Sequence, residues 1–140
     1  MSEEQLWCDL AFVMMSDEKW HASRVESHAT SAGIPDVDYC YYGDGHIELK
    51  FGDSITKKMP AIRDTQVRWM TKRAAVGGKV LMLTKLMDGP KEIYLFHKGS
   101  FILNLNMNRD YVYWFNNRIN DAYWGLPEAE TKLLLKGERQ

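Results

Sequence analysis

Apolar and polar residues alternate along residues 47–51, where an acid, Glu48, and a base, Lys50, separate three apolar positions. Successive side chains of a β-strand point to opposite faces of the sheet, so this pattern predicts a strand with one apolar face and one charged face. The apolar face would pack on a core and leave the acid and the base side by side on the other face. The apolar residues are Ile47, Leu49 and Phe51.

A second extended run, residues 35–42, precedes this strand, and the Gly-Asp-Gly sequence of residues 43–45 predicts the hairpin turn between them. A symmetric hairpin about that turn would leave Asp36 out of line with Glu48 by ~13 Å, at ~3.3 Å per residue. Two carboxylates that far apart cannot share one ion. We therefore expect the strands to pair off-centre, or through a bulge or a wider loop, with Asp38 as the alternative ligand.

A helical period predicts an α-helix over residues 60–76, ended by Gly77-Gly78. Gln66 and Arg73 lie near the middle of its apolar arc, although a buried polar group without a partner costs about 1–3 kcal/mol. In one interpretation, Gln66 bonds to a backbone group of the core, while Arg73 extends to solvent or pairs with an acid. In the other, the helix packs across the charged strand and brings Gln66 to its acid and base.

The remaining patterns complete one α/β domain over residues 1–140, since a strand–helix–strand order favours a parallel pair of strands joined by a right-handed crossover. A composition that is 45% hydrophobic is sufficient for one core. Six of the 17 aromatic residues fall within residues 111–124. Some of these side chains are expected in the core, and the others could stack on unpaired bases or pack against a second subunit. The other predicted elements are a first helix with the stripe Leu6, Trp7, Leu10, Val13 and Met14 behind a Ser2–Gln5 capping box, strands near 79–84, 92–97 and 103–108, and a final helix near 127–136.

Charge is unevenly distributed although the chain is nearly neutral, with 18 basic and 19 acidic residues. Residues 1–56 contain eleven acids and three bases, whereas residues 57–79 contain seven bases and one acid. A basic block beside an acidic site suits an enzyme that grips phosphates without reading sequence; the alternative is a solvated helix face with a lysine-rich loop. The predicted DNA-binding residues are Lys57, Lys58, Arg63 and Arg73.

The cysteine content and the hydropathy pattern indicate the compartment. Cys8 and Cys40 form no CxxC pair or disulfide framework, which fits a reducing cytoplasm. No apolar run approaches the ~18 residues of a membrane span, and the acidic start argues against a secretory signal. We therefore expect no membrane association.

The charged strand and the preceding Pro-Asp pair predict metal chemistry. Two carboxylates in one cleft, Asp36 and Glu48, repel each other unless a cation lies between them, and oxygen ligands suit Mg²⁺ or Mn²⁺. Such an ion can activate water against a phosphodiester, and Lys50 can assist the deprotonation or offset charge on phosphorus. The alternative is a solvated strand face with an ordinary turn.

Pro35-Asp36 followed by Glu48-Leu49-Lys50 resembles the signature of the PD-(D/E)XK nuclease superfamily. Together with Arg24-Val25-Glu26, Ala32-Gly33-Ile34 and Gln66, these residues resemble its small phage-type and VRR-NUC branch, which is related to Holliday-junction resolvases. The resemblance covers roughly residues 20–84.

The resemblance implies a restriction-endonuclease-like αβββαβ core with a mixed sheet, a divalent metal and DNA cleavage. It would give Asp36 and Glu48 as metal ligands, Lys50 as the catalytic lysine and Gln66 as the helix glutamine. The family carries a further acid on its first helix, for which Glu3, Glu4 and Glu26 compete; the predicted ligand set takes Glu26.

The predicted function is therefore a Mg²⁺- or Mn²⁺-dependent endodeoxyribonuclease, with branched, flapped or Holliday-junction DNA as the substrate that the resemblance implies. Resolvases act as symmetric dimers because a four-way junction presents two equivalent strands, so we expect a homodimer. The alternative is a catalytically inactive nuclease fold that binds DNA or a partner protein. A third interpretation is a nuclease directed at RNA, which a site can distinguish by the 2′-hydroxyl.

Overall fold

A computed structural model describes residues 2–25 and 33–137 of the chain. Glu26, the acid taken into the predicted ligand set, lies outside the described residues, so its assignment stays a prediction. The helices are α1 (Glu3–Met14), α2 (Asp64–Ala75), α3 (Ile102–Met107), α4 (Tyr111–Asn116) and α5 (Glu128–Lys136), and the strands are β1 (His21–Arg24), β2 (Val37–Cys40), β3 (Asp44–Gly52), β4 (Lys79–Asp88) and β5 (Lys91–Lys98).

The five strands form one mixed sheet in the order β1-β2-β3-β4-β5. β3 and β4 are parallel, and α2 connects them, while the other three pairs are antiparallel. The predicted α/β class, the αβββαβ order and the mixed sheet are therefore confirmed, and β5 with α3, α4 and α5 forms the C-terminal addition.

Two hydrophobic clusters cover the two faces of this sheet. Alternate residues of β3, Ile47 and Leu49, join the cluster that contains the buried stripe of α1 and residues of α5. The second cluster contains residues of α2, α3 and α4 with Met82 and Leu95. Glu48 and Lys50 point to this second side, so the strand pattern predicted their face correctly. The buried residues of α1 are Leu6, Leu10 and Met14.

The hairpin turn lies earlier than predicted. Gly45 is inside β3, paired with Tyr39, and a Cβ atom at Gly45 would overlap the Tyr39 ring. The chain instead turns at residues 41–43, where Tyr42 (φ 57°) and Gly43 (φ 128°) have positive φ and Tyr41 N donates to Gly43 O at 2.9 Å. Gly45 is thus a strand residue because an aromatic ring lies across it, and the expected off-centre pairing follows.

Two further predictions are corrected. α2 begins at Asp64 rather than near residue 60, because Arg63 is extended (φ −66°, ψ 148°) and Ile62 N donates to Asn106 Oδ1 at 3.0 Å. Residues 102–107 form α3 and not a strand, since Ile102 and Leu105, three residues apart, are the two that the core buries. An alternation over six residues does not outweigh that packing.

No helix within the described ranges is long and apolar enough to cross a membrane.

Candidate active site

The off-centre pairing of β2 with β3 brings the two predicted carboxylates together. Cys40 pairs with Asp44 and Val37 with Ile47, so Asp36, the residue just before β2, lies opposite Glu48 at the next step of the ladder. Asp36 Oδ2 accepts a hydrogen bond from Leu49 N at 3.0 Å. Directly opposed residues of an antiparallel pair point to the same face of the sheet. Asp38 is therefore not needed as the alternative to Asp36 in the predicted ligand set.

Gln66 closes a three-residue network with the acid and the base of β3. Its Nε2 donates to Glu48 Oε2 at 2.6 Å, and its Oε1 accepts from Lys50 Nζ at 3.0 Å. Lys50 Nζ also lies 3.3 Å from Glu48 Oε2. All three residues are buried. The second interpretation of Gln66, in which the helix brings it to the charged strand, therefore describes the structure.

Two contacts at the start of α2 fix the positions of Gln66 and of the segment that carries Asp36. Gln66 Oε1 also accepts from Arg63 N at 3.1 Å, which fixes the amide at the helix start. Gly33 (φ +88°) passes so close to the first turn of α2 that a Cβ atom there would overlap the Thr65 carbonyl. Any other residue at 33 would push the segment that carries Asp36 away from Gln66.

The electrostatics of the site disfavour negative charge. Burial, and after it the neighbouring Asp36 carboxylate, raises the pKa of Glu48 to about 8, while Lys50 acts in the opposite direction. Burial also raises the pKa of Glu3, again with Asp36 as a neighbouring charge. Two acids with raised pKa values, next to a third carboxylate, are typical of a functional site.

The position of Glu3 bears on the missing third carboxylate. Glu3 lies in the first turn of α1, and the charges that act on it include Asp36 and Lys50. Glu4, its neighbour, instead accepts from Arg24 Nη1 at 2.7 Å. Of the two competing acids that the structure describes, Glu3 is thus the one near the site. The sequence alone left Glu3, Glu4 and Glu26 in competition, since no local signal shows where a helix end will dock.

One buried oxygen atom at this site is free to bind a divalent ion. Glu48 Oε1 has no hydrogen-bond partner within the described part of the chain, although the residue is only 1% exposed. No group of three or more His, Cys, Asp or Glu side chains in that part is arranged as a ready metal cage. The two facing carboxylates, Asp36 and Glu48, match the one or two that Mg²⁺ takes from a protein beside several waters.

The predicted DNA-binding residues are all exposed to solvent. Lys57, Lys58 and Arg63 are exposed in or beside the segment between β3 and α2. Arg63 is among the charges that lower the pKa of Glu3, so it lies on the active-site side. Arg73 is also exposed, with its guanidinium carbon 4.4 Å from the centre of the Trp69 ring. Their contact with DNA remains a prediction.

Comparisons with known proteins support the fold. No family model and no curated protein matches the chain. Among solved structures, it is similar to Hjc, a Holliday junction resolvase from the hyperthermophilic archaeon Archaeoglobus fulgidus, with a TM-score of 0.51 and 19% sequence identity over 70% of this chain and 78% of that chain. The likeness shows a restriction-endonuclease-like resolvase fold: a mixed sheet with flanking helices.

Proposed function

We propose that this protein is a metal-dependent nuclease of the PD-(D/E)XK superfamily, in its small phage-type and VRR-NUC branch, and that it hydrolyses DNA phosphodiester bonds. The observation that carries the proposal is the buried Glu48 with a free Oε1 atom, opposite Asp36 and 3.3 Å from Lys50. A buried acid with an unused oxygen, facing a second acid, has no structural purpose that the packing explains.

Each residue has a separate role in this proposal. Asp36 and Glu48 would hold a divalent ion, with Glu3 or Glu26 as the further carboxylate. The chemistry supplied by Mg²⁺ or Mn²⁺ there would be polarisation of the phosphate and a lower pKa for water. Lys50 orients the attacking water or neutralises charge on the phosphate oxygens. Gln66 holds Lys50 and Glu48 in place through its two hydrogen bonds.

The basic residues around the site position the DNA backbone. Lys57, Lys58, Arg63 and Arg73 supply positive charge next to an acidic centre, and contacts of this kind bind phosphates without reading sequence. Hjc of Archaeoglobus fulgidus is a Holliday junction resolvase, and we extend its substrate class to this chain by proposing branched, flapped or four-way DNA. We also propose a homodimer, which fits two equivalent strands of a junction, acting in the cytoplasm of a bacterial or phage-infected cell.

A second candidate is a nuclease fold that binds DNA without cutting it. It is favoured by the fact that Asp36 Oδ2 and Glu48 Oε2 already accept hydrogen bonds from the protein. Metal binding distinguishes the two candidates, because a non-catalytic fold has no need for an ion between these acids.

The decisive experiment is cleavage of a labelled panel of single-stranded, duplex, flapped and four-way DNA, with a matched single-stranded RNA. Each substrate is incubated with Mg²⁺, Mn²⁺ or EDTA. Glu48→Gln removes the charge of the buried ligand, and Asp44→Asn removes a charge from an exposed position of the same strand as the matched control. We expect metal-dependent cutting that Glu48→Gln abolishes and Asp44→Asn leaves intact.

The preferred substrate of the panel defines the substrate class, and preference for RNA would correct the DNA assignment. Binding without cutting under any metal condition would reject the nuclease in favour of the second candidate. Cutting that persists in purified Glu48→Gln protein would reject the assigned site.

A further inference from the structure

The face of β3 that carries Glu48 and Lys50 has one more large polar side chain. His46, two residues before Glu48, points to this same face. Trp69 lies one helical turn beyond Gln66 on α2, and its ring contacts the His46 ring edge-on, with 4.9 Å between the ring centres and 70° between the planes. The same strand and the same helix that build the active site thus meet a second time, next to it.

Arg73 completes this second contact at the next turn of α2. Its guanidinium carbon lies 4.4 Å from the centre of the Trp69 ring, in the range of a cation–π contact. Gly78 leaves room for the arginine, since a Cβ atom at 78 would lie 2.7 Å from Arg73 Cγ and Cδ. The residue remains exposed, so its charge is held near the ring and is still accessible to solvent.

A shallow depression of about 190 Å³ lies beside this arginine, lined by Trp69, Lys72, Arg73 and Val76. We call it the Trp69 surface. Val76 is 76% exposed there, a large apolar side chain left in solvent at the end of the helix. The lining therefore combines an apolar wall with two cations. A nucleotide has the matching chemistry, because its base is an apolar plate and its phosphate is an anion.

We propose that the Trp69 surface binds one unpaired nucleotide of a DNA strand, adjacent to the phosphodiester that the active site cleaves. The base packs on Val76 beside Trp69, and Lys72 and Arg73 contact the flanking phosphates. The proposal rests on the proposed function, which supplies the cleaved strand. His46, whose ring contacts that of Trp69, is two residues from Glu48, which is about 7 Å along β3. A DNA strand that lies along β3 therefore reaches both the active site and the Trp69 surface.

The requirement for an unpaired nucleotide follows from stacking. In a duplex, the faces of each base are covered by its neighbours and only edges and backbone are accessible. An apolar wall with flanking cations, without a groove-reading helix or strand, suits a base that has left the stack. This surface would therefore favour flaps, gaps and junction branch points over continuous duplex.

Core packing explains only part of the arrangement. Trp69 packs against the second hydrophobic cluster, which accounts for its buried edge. Gly78 is explained by the helix end, where its N–H donates to Arg73 O at 2.9 Å. Neither reason accounts for the exposed Val76 or for the exposed Arg73 held over the Trp69 ring. Those two features carry the proposal, and they also permit clean tests, because both side chains to be changed are exposed.

The test measures binding in the Glu48→Gln background with EDTA, so it does not depend on cleavage. The probes are a flapped DNA and a fully paired duplex of the same length, with 2-aminopurine placed at each unpaired position near the branch in turn. The variants are Arg73→Gln, Val76→Ser and the double variant. Arg68→Gln is the matched control, because it removes the same charge from an exposed position of the same helix.

We expect the double variant to weaken binding of the flap roughly tenfold while the duplex changes much less. The wild-type surface should also quench 2-aminopurine at one unpaired position, and Val76→Ser should restore that fluorescence. Arg68→Gln should weaken both probes by the same factor. Equal losses on flap and duplex for Arg73→Gln, or no quenching at any unpaired position, would overturn the proposal whether or not the wild type proves to be a nuclease.

Discussion

Two buried lysines on neighbouring strands of this protein have opposite surroundings. Lys50 of β3 faces α2, whereas Lys85 of β4 pairs in register with Phe51 and therefore faces α1 on the other side of the sheet. Each has an acid within ion-pair distance. Their burial is similar, so the comparison isolates what differs: how completely the charges around each lysine are paired.

Around Lys85 each charged or polar partner is paired. Lys85 Nζ lies 2.7 Å from Asp9 Oδ2 and 2.6 Å from Glu92 Oε2, and Tyr94 OH donates to Asp9 Oδ2 at 2.8 Å. Burial alone would lower the pKa of Lys85, but its hydrogen bonds with the two acids outweigh burial and raise the pKa well above its ordinary value. This cluster ties α1 to the sheet.

Around Lys50 the pairing is incomplete. One acid, Glu48, has a pKa raised to about 8 by burial and by Asp36, and its Oε1 atom has no partner among the described residues. Buried polar groups are normally satisfied, and this unsatisfied oxygen belongs to an acid that faces a second acid. The difference between the two lysines therefore lies in this facing pair of acids and not in burial.

The largest expected effect is on catalysis, from Lys50→Ala. We expect cleavage to fall by roughly 10²- to 10⁴-fold because the group that assists the water or the phosphate is lost. DNA affinity should stay within about threefold, since the surrounding basic residues carry the phosphate contacts. Single-turnover cleavage and an anisotropy titration measure the two quantities, and undiminished cleavage would contradict the role of Lys50.

Lys85→Ala tests the other half of the comparison. We expect the free energy of unfolding to fall by about 3 kcal/mol, because Asp9 and Glu92 lose the cation between them. Cleavage per folded molecule should be unchanged at a temperature well below the midpoint. Urea denaturation measures the loss; a stable variant with reduced cleavage would show that Lys85 belongs to the active site after all.

Glu48→Gln should stabilise the metal-free protein as pH rises. The folded pKa of Glu48 is about 8, above its ordinary value of 4.5, so the folded state holds a proton more tightly than the unfolded chain. Wild-type stability from this group is therefore full below about pH 4.5 and is lost between pH 4.5 and 8. Glutamine does not ionise and avoids that loss.

We expect the melting temperature of Glu48→Gln to exceed that of the wild type by about 5 °C at pH 9, with a much smaller difference at pH 4.5. Thermal scans in EDTA at both pH values make the measurement, with Asp44→Asn as the exposed control. A difference that does not grow with pH would show that Glu48 is not held in its neutral form.

Tyr94→Phe gives the smallest effect. It removes one donor to Asp9 while Lys85 still neutralises that acid, so we expect a loss of about 1 kcal/mol in urea denaturation. The phenol stays a donor throughout the usual pH range because burial, followed by its bond to Asp9, raises the Tyr94 pKa to about 12. A loss as large as that of Lys85→Ala would mean that the cluster is not redundant.

Sequence patterns predicted the arrangement of Glu48, Lys50 and Gln66 better than that of their surroundings. Glu48 and Lys50 share a face because strand geometry places alternate residues together, and Gln66 was recognised as a polar residue in an apolar arc. Glu3 was passed over in favour of Glu26, and Lys85, just beyond the predicted strand of residues 79–84, received no interpretation. In both cases the deciding partners, Asp36 and Asp9, are more than thirty residues away in the chain.

Local periodicity thus determined which residues form β3, α1, α2 and most of β4 and β5, because burial of alternate or helical positions is encoded within each segment. Tertiary structure alone decided the register that sets Asp36 opposite Glu48, since it depends on the Tyr39 ring lying across Gly45. It also turned residues 102–107 into a helix by burying Ile102 and Leu105 together. Pairing between distant segments is a property of the packed molecule, and no window of sequence contains it.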